Sequence, residues 1–142
     1  MNITALTAQI VFSEIGSVRW QESRDAFEVR TIRGAHLFLS PNSEESIPTN
    51  VHVDEIWVPE ADRRRGVATD ALEALCLLAD KYRFVLEGGP VGWTANPFSS
   101  RFVSWLFRFG FERHTSPYLP PADDANAFYV RRVPGNWQPV NS

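Results

Sequence analysis

Near the start of the chain, Leu6 and Ile10, then Val11 and Ile15, recur at helical spacing, which predicts a helix over 3–15 capped by Asn2 or Thr4. From Phe27 the period changes to two. Phe27-Glu28-Val29-Arg30-Thr31-Ile32 alternates, Arg33-Gly34 has turn composition, and Ala35-His36-Leu37-Phe38-Leu39 resumes as a second strand, so a hairpin is expected. Positions 41–48, with a proline at each end and Asn, Ser and Glu between, carry no periodicity and read as a surface loop. A strand follows over 51–58, and its apolar positions are 51 and 53, then 56 and 58. The alternation slips by one residue at Asp54-Glu55, and a strand that changes phase without a turn contains a bulge. That bulge puts Val51, Val53, Ile56 and Val58 on one face and leaves His52, Trp57 and one of the two carboxylates on the other.

Pro59 and the charged run at 60–65 end this strand, and Gly66 opens a long helical segment. Ala68, Ala71, Leu72, Leu75, Leu78, Ala79 and Tyr82 form its apolar stripe, while Asp70, Glu73 and Lys81 face water. Phe84-Val85-Leu86 is a short strand bounded by Gly88-Gly89-Pro90, and 92–97 continues as loop. Ser99 or Ser100 caps a second helix that reaches Phe109 and stops at Gly110. Two last strands are expected at 111–114 and 127–133, with loop at 117–126 between them and a tail over 134–142. The sum is an α/β fold: a mixed, mostly antiparallel sheet with flanking helices. The strands at 51–58 and 84–86 are joined by a helical crossover, so they must run parallel.

The chain has 142 residues, no internal repeat and no linker long enough to split it, so 1–142 is read as one domain. At 44% apolar and 13% aromatic it can build a sizeable core. A formal charge of −3 gives no electrostatic reason to expect nucleic acid. Cys76 is the single cysteine, the amino terminus has no basic segment leading into an apolar run, and no apolar stretch approaches the roughly 20 residues that span a bilayer. These observations predict a cytoplasmic protein with no membrane contact.

The sharpest chemical signal is Arg63-Arg64-Arg65-Gly66-Val67-Ala68, placed between a strand end and a helix start. Free amide groups and the positive end of the helix converge there on an anion, glycine lets a ligand approach the backbone, and three arginines add donors suited to a pyrophosphate. Arg-x-x-Gly-x-Ala resembles the [QR]-x-x-G-x-[GA] pattern of the GNAT superfamily of acyl-CoA-dependent N-acetyltransferases, where it cradles the pyrophosphate of acyl-CoA. Glu55-Ile56-Trp57-Val58, with Arg63 five residues further on, is similar to that family's fourth strand. Trp105-Leu106-Phe107-Arg108-Phe109-Gly110-Phe111 resembles its fourth helix running into a Gly-Phe pair. The resemblance spans about residues 51–133. Two departures stand beside it: Arg64 replaces a frequent glycine, and the amino-terminal part is short, with one helix where the family has two.

The resemblance implies a GNAT-like sheet whose central parallel pair is splayed to admit the pantetheine arm. Backbone groups at Ile56, Trp57 and Val58 would bind that arm, and Asn96 and Ser99 lie where the family can carry a polar side chain on it. An amine acceptor must lose a proton before attacking a thioester, and His52, Asp54 and Glu55 are the groups available near the splay. The family's usual general acid is a tyrosine four residues before the glycine, a position held here by Leu106. Tyr82, Tyr118 and Tyr129 are the candidate substitutes, each also readable as a packing residue. Trp93, in a glycine-rich loop, is either core or a contact for the acceptor.

Cys76 lies between apolar neighbours in the long helix and reads as a buried, inert thiol. His36 and His114 have no metal-ligand spacing to one another or to Cys76, so no metal is expected. The function so implied is transfer of an acetyl or short acyl group from acetyl-CoA to a primary amine of a small molecule or protein. The alternatives are an inactive acyl-CoA-binding or protein-interaction module on the same fold, and a nucleobase-modifying enzyme. The sequence leaves a homodimer open.

Overall fold

The computed structural model describes residues 3–41, 49–89, 93–94, 99–115 and 127–132. Along these the elements are α1 (Ile3–Phe12), β1 (Gly16–Gln21), β2 (Ala26–Thr31), β3 (His36–Pro41), β4 (Asn50–Trp57), α2 (Val67–Tyr82), β5 (Val85–Gly88), α3 (Ser100–Arg108), β6 (Glu112–Thr115) and β7 (Ala127–Arg131). The strands make one sheet in the order β1-β2-β3-β4-β5-β7-β6. Every neighbouring pair is antiparallel except β4 and β5, which run parallel across the α2 crossover.

The first helix is shorter than its periodicity suggests, and it is turned. It ends at Phe12, and Leu6 and Ile10 are 52% and 64% exposed, whereas Ala8, Val11 and Phe12 are buried. Phe12 decides the rotation. Its ring meets Phe27 of β2 at 5.8 Å and Phe84, just beyond α2, at 6.5 Å, both edge-on. Burial of a large aromatic outweighs that of two aliphatics that can remain at the surface. Strand β1 is absent from the sequence reading, because Gly-Ser-Val-Arg-Trp-Gln offers only two apolar positions; its pairing with β2 from Gly16↔Thr31 to Gln21↔Ala26 defines it.

The hairpin forms as expected, with Phe27 opposite Leu39 and Val29 opposite Leu37. Helix α2 buries Ala71, Leu72, Leu75, Leu78 and Ala79 on the predicted stripe. Ser99 caps α3, its Oγ accepting the amide of Phe102 at 3.1 Å. The core is closed by a buried ion pair that links three elements. Arg131 of β7 donates through Nη1 and Nη2 to Asp80 of α2 at 2.7 and 2.9 Å, and through Nε to the Phe109 carbonyl after α3 at 2.6 Å. Among the described residues no helix is long and apolar enough to cross a membrane.

Candidate active site

The phase slip in β4 is a bulge. Phe38 of β3 faces Glu55 and Leu39 faces Val53, so Asp54 has no partner in the register. As the alternation requires, Val51, Val53, Ile56 and Val58 are buried, His52 is partly exposed and Trp57 is exposed. The extra residue aims the Asp54 carboxylate sideways. Its Oδ1 lies 2.6 Å from His52 Nδ1, and its Oδ2 accepts from Ser40 Oγ at 2.8 Å. A carboxylate only accepts, so Nδ1 carries the proton and Nε2 is left with a free lone pair. Glu55 is engaged elsewhere: it pairs with Arg24, whose guanidinium sits 4.0 Å over the Phe38 ring. Of the three sequence candidates for a base, His52 therefore has the geometry of one, Asp54 orients it, and Glu55 is neutralised.

The turn at 63–68 joins β4 to α2 through two left-handed residues, Arg64 at φ 67° and Gly66 at φ 76°. No side chain caps the helix, so the first-turn amides remain as anion donors, and a Cβ on Gly66 would meet nothing within 4 Å. Arg63 Nε donates to the Val58 carbonyl at 3.0 Å and ties the turn to the strand end. Arg33, from the β2–β3 turn, donates to the Arg65 carbonyl at 2.9 Å and pairs with Asp70. That pairing offsets a carboxylate in the first turn of α2, which would otherwise repel an anion.

A cavity of about 540 Å³ opens beside the turn. Its wall includes Val58, Arg63, Arg64, Gly66, Val67, Ala68 and Ser99 from the sequence candidates, and Trp93. Arg101 and Arg108 of α3 also line it, so four arginines face one carboxylate, Asp62, in a chain whose net charge is −3. Ile56 is buried in the core, Trp57 lies edge-on to His36 at 4.9 Å on the polar face, and Arg65 is exposed outside the cavity wall. Asn96 and Tyr118 fall outside the described residues.

The β4–β5 ladder runs only from Asn50↔Val85 to His52↔Glu87, while β4 continues to Trp57. The pairing ends at the residue that carries the imidazole, one residue before β5 itself ends at Gly88. Leu106 is fully buried. Tyr82 is bonded to Glu14 between the ends of α1 and α2, and Tyr129 is buried on β7 opposite Gly88. Among the described residues no cluster of three His, Cys, Asp or Glu side chains could hold a metal ion.

The sequence reading missed Ser40, Arg33, Arg101, Phe102, Trp105 and Arg108. The α3 residues had a legible signal: Arg101, Trp105 and Arg108 stand at i, i+4 and i+7 on one helix face. Trp105 Nε1 donates to Thr69 Oγ1 at 2.9 Å, which brings that face against the start of α2.

No protein-family model and no curated protein matches the chain by sequence. By structure, it is similar to an acetyltransferase of the GNAT family from Staphylococcus aureus Mu50, at 12% identity over 93% of this chain and 91% of that one, with a TM-score of 0.50. It is also similar to a GNAT family N-acetyltransferase from Escherichia coli in complex with CoA, at 15% identity over 93% and 77% of the two chains, with a TM-score of 0.47. Ard1 from Thermoplasma volcanium is similar at 18% identity over 79% and 72%, with a TM-score of 0.45. The mixed sheet with its one parallel pair is a GNAT-type fold.

Proposed function

We propose that the protein is an N-acyltransferase that moves an acetyl or other short acyl group from acyl-CoA to a primary amine of a small molecule or protein. The observation that carries this reading is a juxtaposition. An uncapped, arginine-rich helix start opens on a cavity, the indole of Trp93 in the cavity wall bonds the Val53 carbonyl, and an oriented imidazole stands on the adjacent residue of β4.

The chemistry of the donor set fits a nucleotide pyrophosphate, since the first-turn amides of α2 and Arg64 offer hydrogen bonds and charge to it. The backbone of β4 at 56–58, past its last pair with β5, would align the pantetheine arm, and the thioester supplies the acyl group. His52 Nε2 takes a proton from the substrate ammonium, and Asp54 holds the imidazolium that forms. The freed amine lone pair then makes the C–N bond to the thioester carbonyl carbon, the C–S bond breaks with its electrons leaving on the thiolate, and the second nitrogen proton passes to water to give the neutral amide. With Leu106 at the position of the family tyrosine, the thiolate takes its proton from solvent; a thiol is acidic enough for its thiolate to leave near neutral pH.

The full burial of Leu106 favours a second reading, an acyl-CoA-binding module without turnover. Calorimetry with CoA and acetyl-CoA, followed by a thioester-consumption assay over an amine panel, separates the two. Binding with turnover supports the enzyme, and binding without turnover supports the module. Gly66→Trp should abolish binding in a folded protein, because its side chain would project into open space at the anion site. Unchanged affinity in that variant removes the site.

A further inference from the structure

The ladder between β4 and β5 stops at His52 and Glu87, and the carbonyl of Val53, next along β4, is taken by a side chain: Trp93 Nε1 donates to it at 2.8 Å. The indole is buried, 5% exposed, and packs edge-on to Phe111 at 5.6 Å. Gly88 makes room for it, since a Cβ there would come within 2.6 Å of the indole Cζ2 and 2.5 Å of the Val53 oxygen. Trp93 also lines the cavity that the anion turn opens on. One ring thus holds the backbone between His52 and Asp54 and forms part of the cavity wall.

We infer that Trp93 is the wall that restricts the transferred acyl group to a short one. The inference rests on reading the cavity as an acyl-CoA site. A ring packed against Phe111 and hydrogen-bonded to Val53 cannot swing aside without leaving that carbonyl buried and unpaired. Its rigid six-membered edge lies against Gly88, where any β5 side chain would otherwise stand. An acyl chain reaching the Trp93 end of the cavity meets the indole, and a chain several methylenes longer than acetyl has to displace it. A closely packed wall discriminates by about tenfold or more per misfitting methylene. Trp93 is accordingly a core residue with a positioning and size-selecting part, in place of the acceptor contact considered from sequence.

The test is calorimetry of CoA, acetyl-CoA, hexanoyl-CoA and octanoyl-CoA against the wild-type protein, Trp93→Phe and Trp93→Ala, with folding checked by circular dichroism. Wild type should bind acetyl-CoA at least about tenfold more tightly than octanoyl-CoA. Trp93→Ala should reverse or abolish that ratio, and Trp93→Phe should fall between. A wild-type protein that binds acetyl-CoA and octanoyl-CoA equally overturns the inference, whatever the variants do. So does an unchanged chain-length ratio in a folded variant. A wild-type protein that binds none of the four ligands overturns the acyl-CoA reading itself, which is a different outcome.

Discussion

His52 Nδ1 and Asp54 Oδ1 stand 2.6 Å apart, and Asp54 is the residue of β4 that the bulge leaves without a partner on β3. In a regular strand the two side chains would share a face two positions apart, with the carboxylate held in its own cross-strand pair. The inserted residue frees Asp54 to turn toward the imidazole, and Ser40, opposite His52, fixes its other oxygen. The result is a histidine with one ring nitrogen anchored and the other available.

His52→Ala should lower kcat/KM by ~10²–10⁴, the contribution of a general base, with CoA affinity unchanged. Asp54→Asn should give a smaller loss, because an amide can present Nδ1 with the wrong partner. Steady-state rates, measured with an acceptor from the amine panel, decide this. A His52→Ala variant with wild-type rate would remove the imidazole from the mechanism.

Arg64 holds φ 67°, a left-handed conformation that costs an L-residue roughly 1–2 kcal/mol. Its side chain lines the cavity, so a glycine there would relieve the backbone while deleting a cation. Arg64→Gly should leave stability within about 1 kcal/mol of wild type, because relief of strain is offset by greater freedom of the unfolded chain. CoA affinity should fall several-fold and become less salt-dependent. Thermal melts and calorimetry at two ionic strengths check both halves, and an affinity that does not change would take Arg64 out of the anion site.

The Asp80–Arg131 pair is buried on both sides and bidentate. Removing one partner leaves the other charge without compensation in the core, so Asp80→Ala should destabilise the fold by about 3–5 kcal/mol in urea unfolding. Because Arg131 also holds the Phe109 carbonyl, α3 and its arginines should lose order first. Faster amide exchange at 106–111 than in α2 would show it.

Burial raises the Cys76 thiol from the ordinary 9.0 to about 12. In the unfolded chain the thiol loses its proton from about pH 9 upward, whereas the folded protein keeps it to about 12. Between these values the native state binds more protons, so the contribution to stability is complete below the unfolded value and declines as pH rises. Cys76→Ala should lose less stability than wild type between pH 9 and 10.5, an interval of about 1.5 units read by urea titration. In the folded wild type at pH 8, an aromatic disulfide reagent should react only as fast as the protein opens.

Local sequence determined most of the elements and the two segments on which the candidate site is built. The hairpin, the bulge at Asp54, the length and stripe of α2, the Ser99 cap and the turn at 63–68 are each written in fewer than twenty consecutive residues, because backbone period, capping and left-handed turns act over that range. Tertiary structure decided what those elements meet. Strand β1 exists through its pairing with β2, and α1 took the rotation that buries Phe12 against Phe27 and Phe84. Ser40 reached Asp54, Arg33 reached the turn 32 residues away, and Trp93 reached Val53 across 40 residues. No periodicity encodes such contacts. They follow from sheet order and register, which are fixed only when the apolar faces of α1, α2 and seven strands are buried together and every polar group left inside must find a partner.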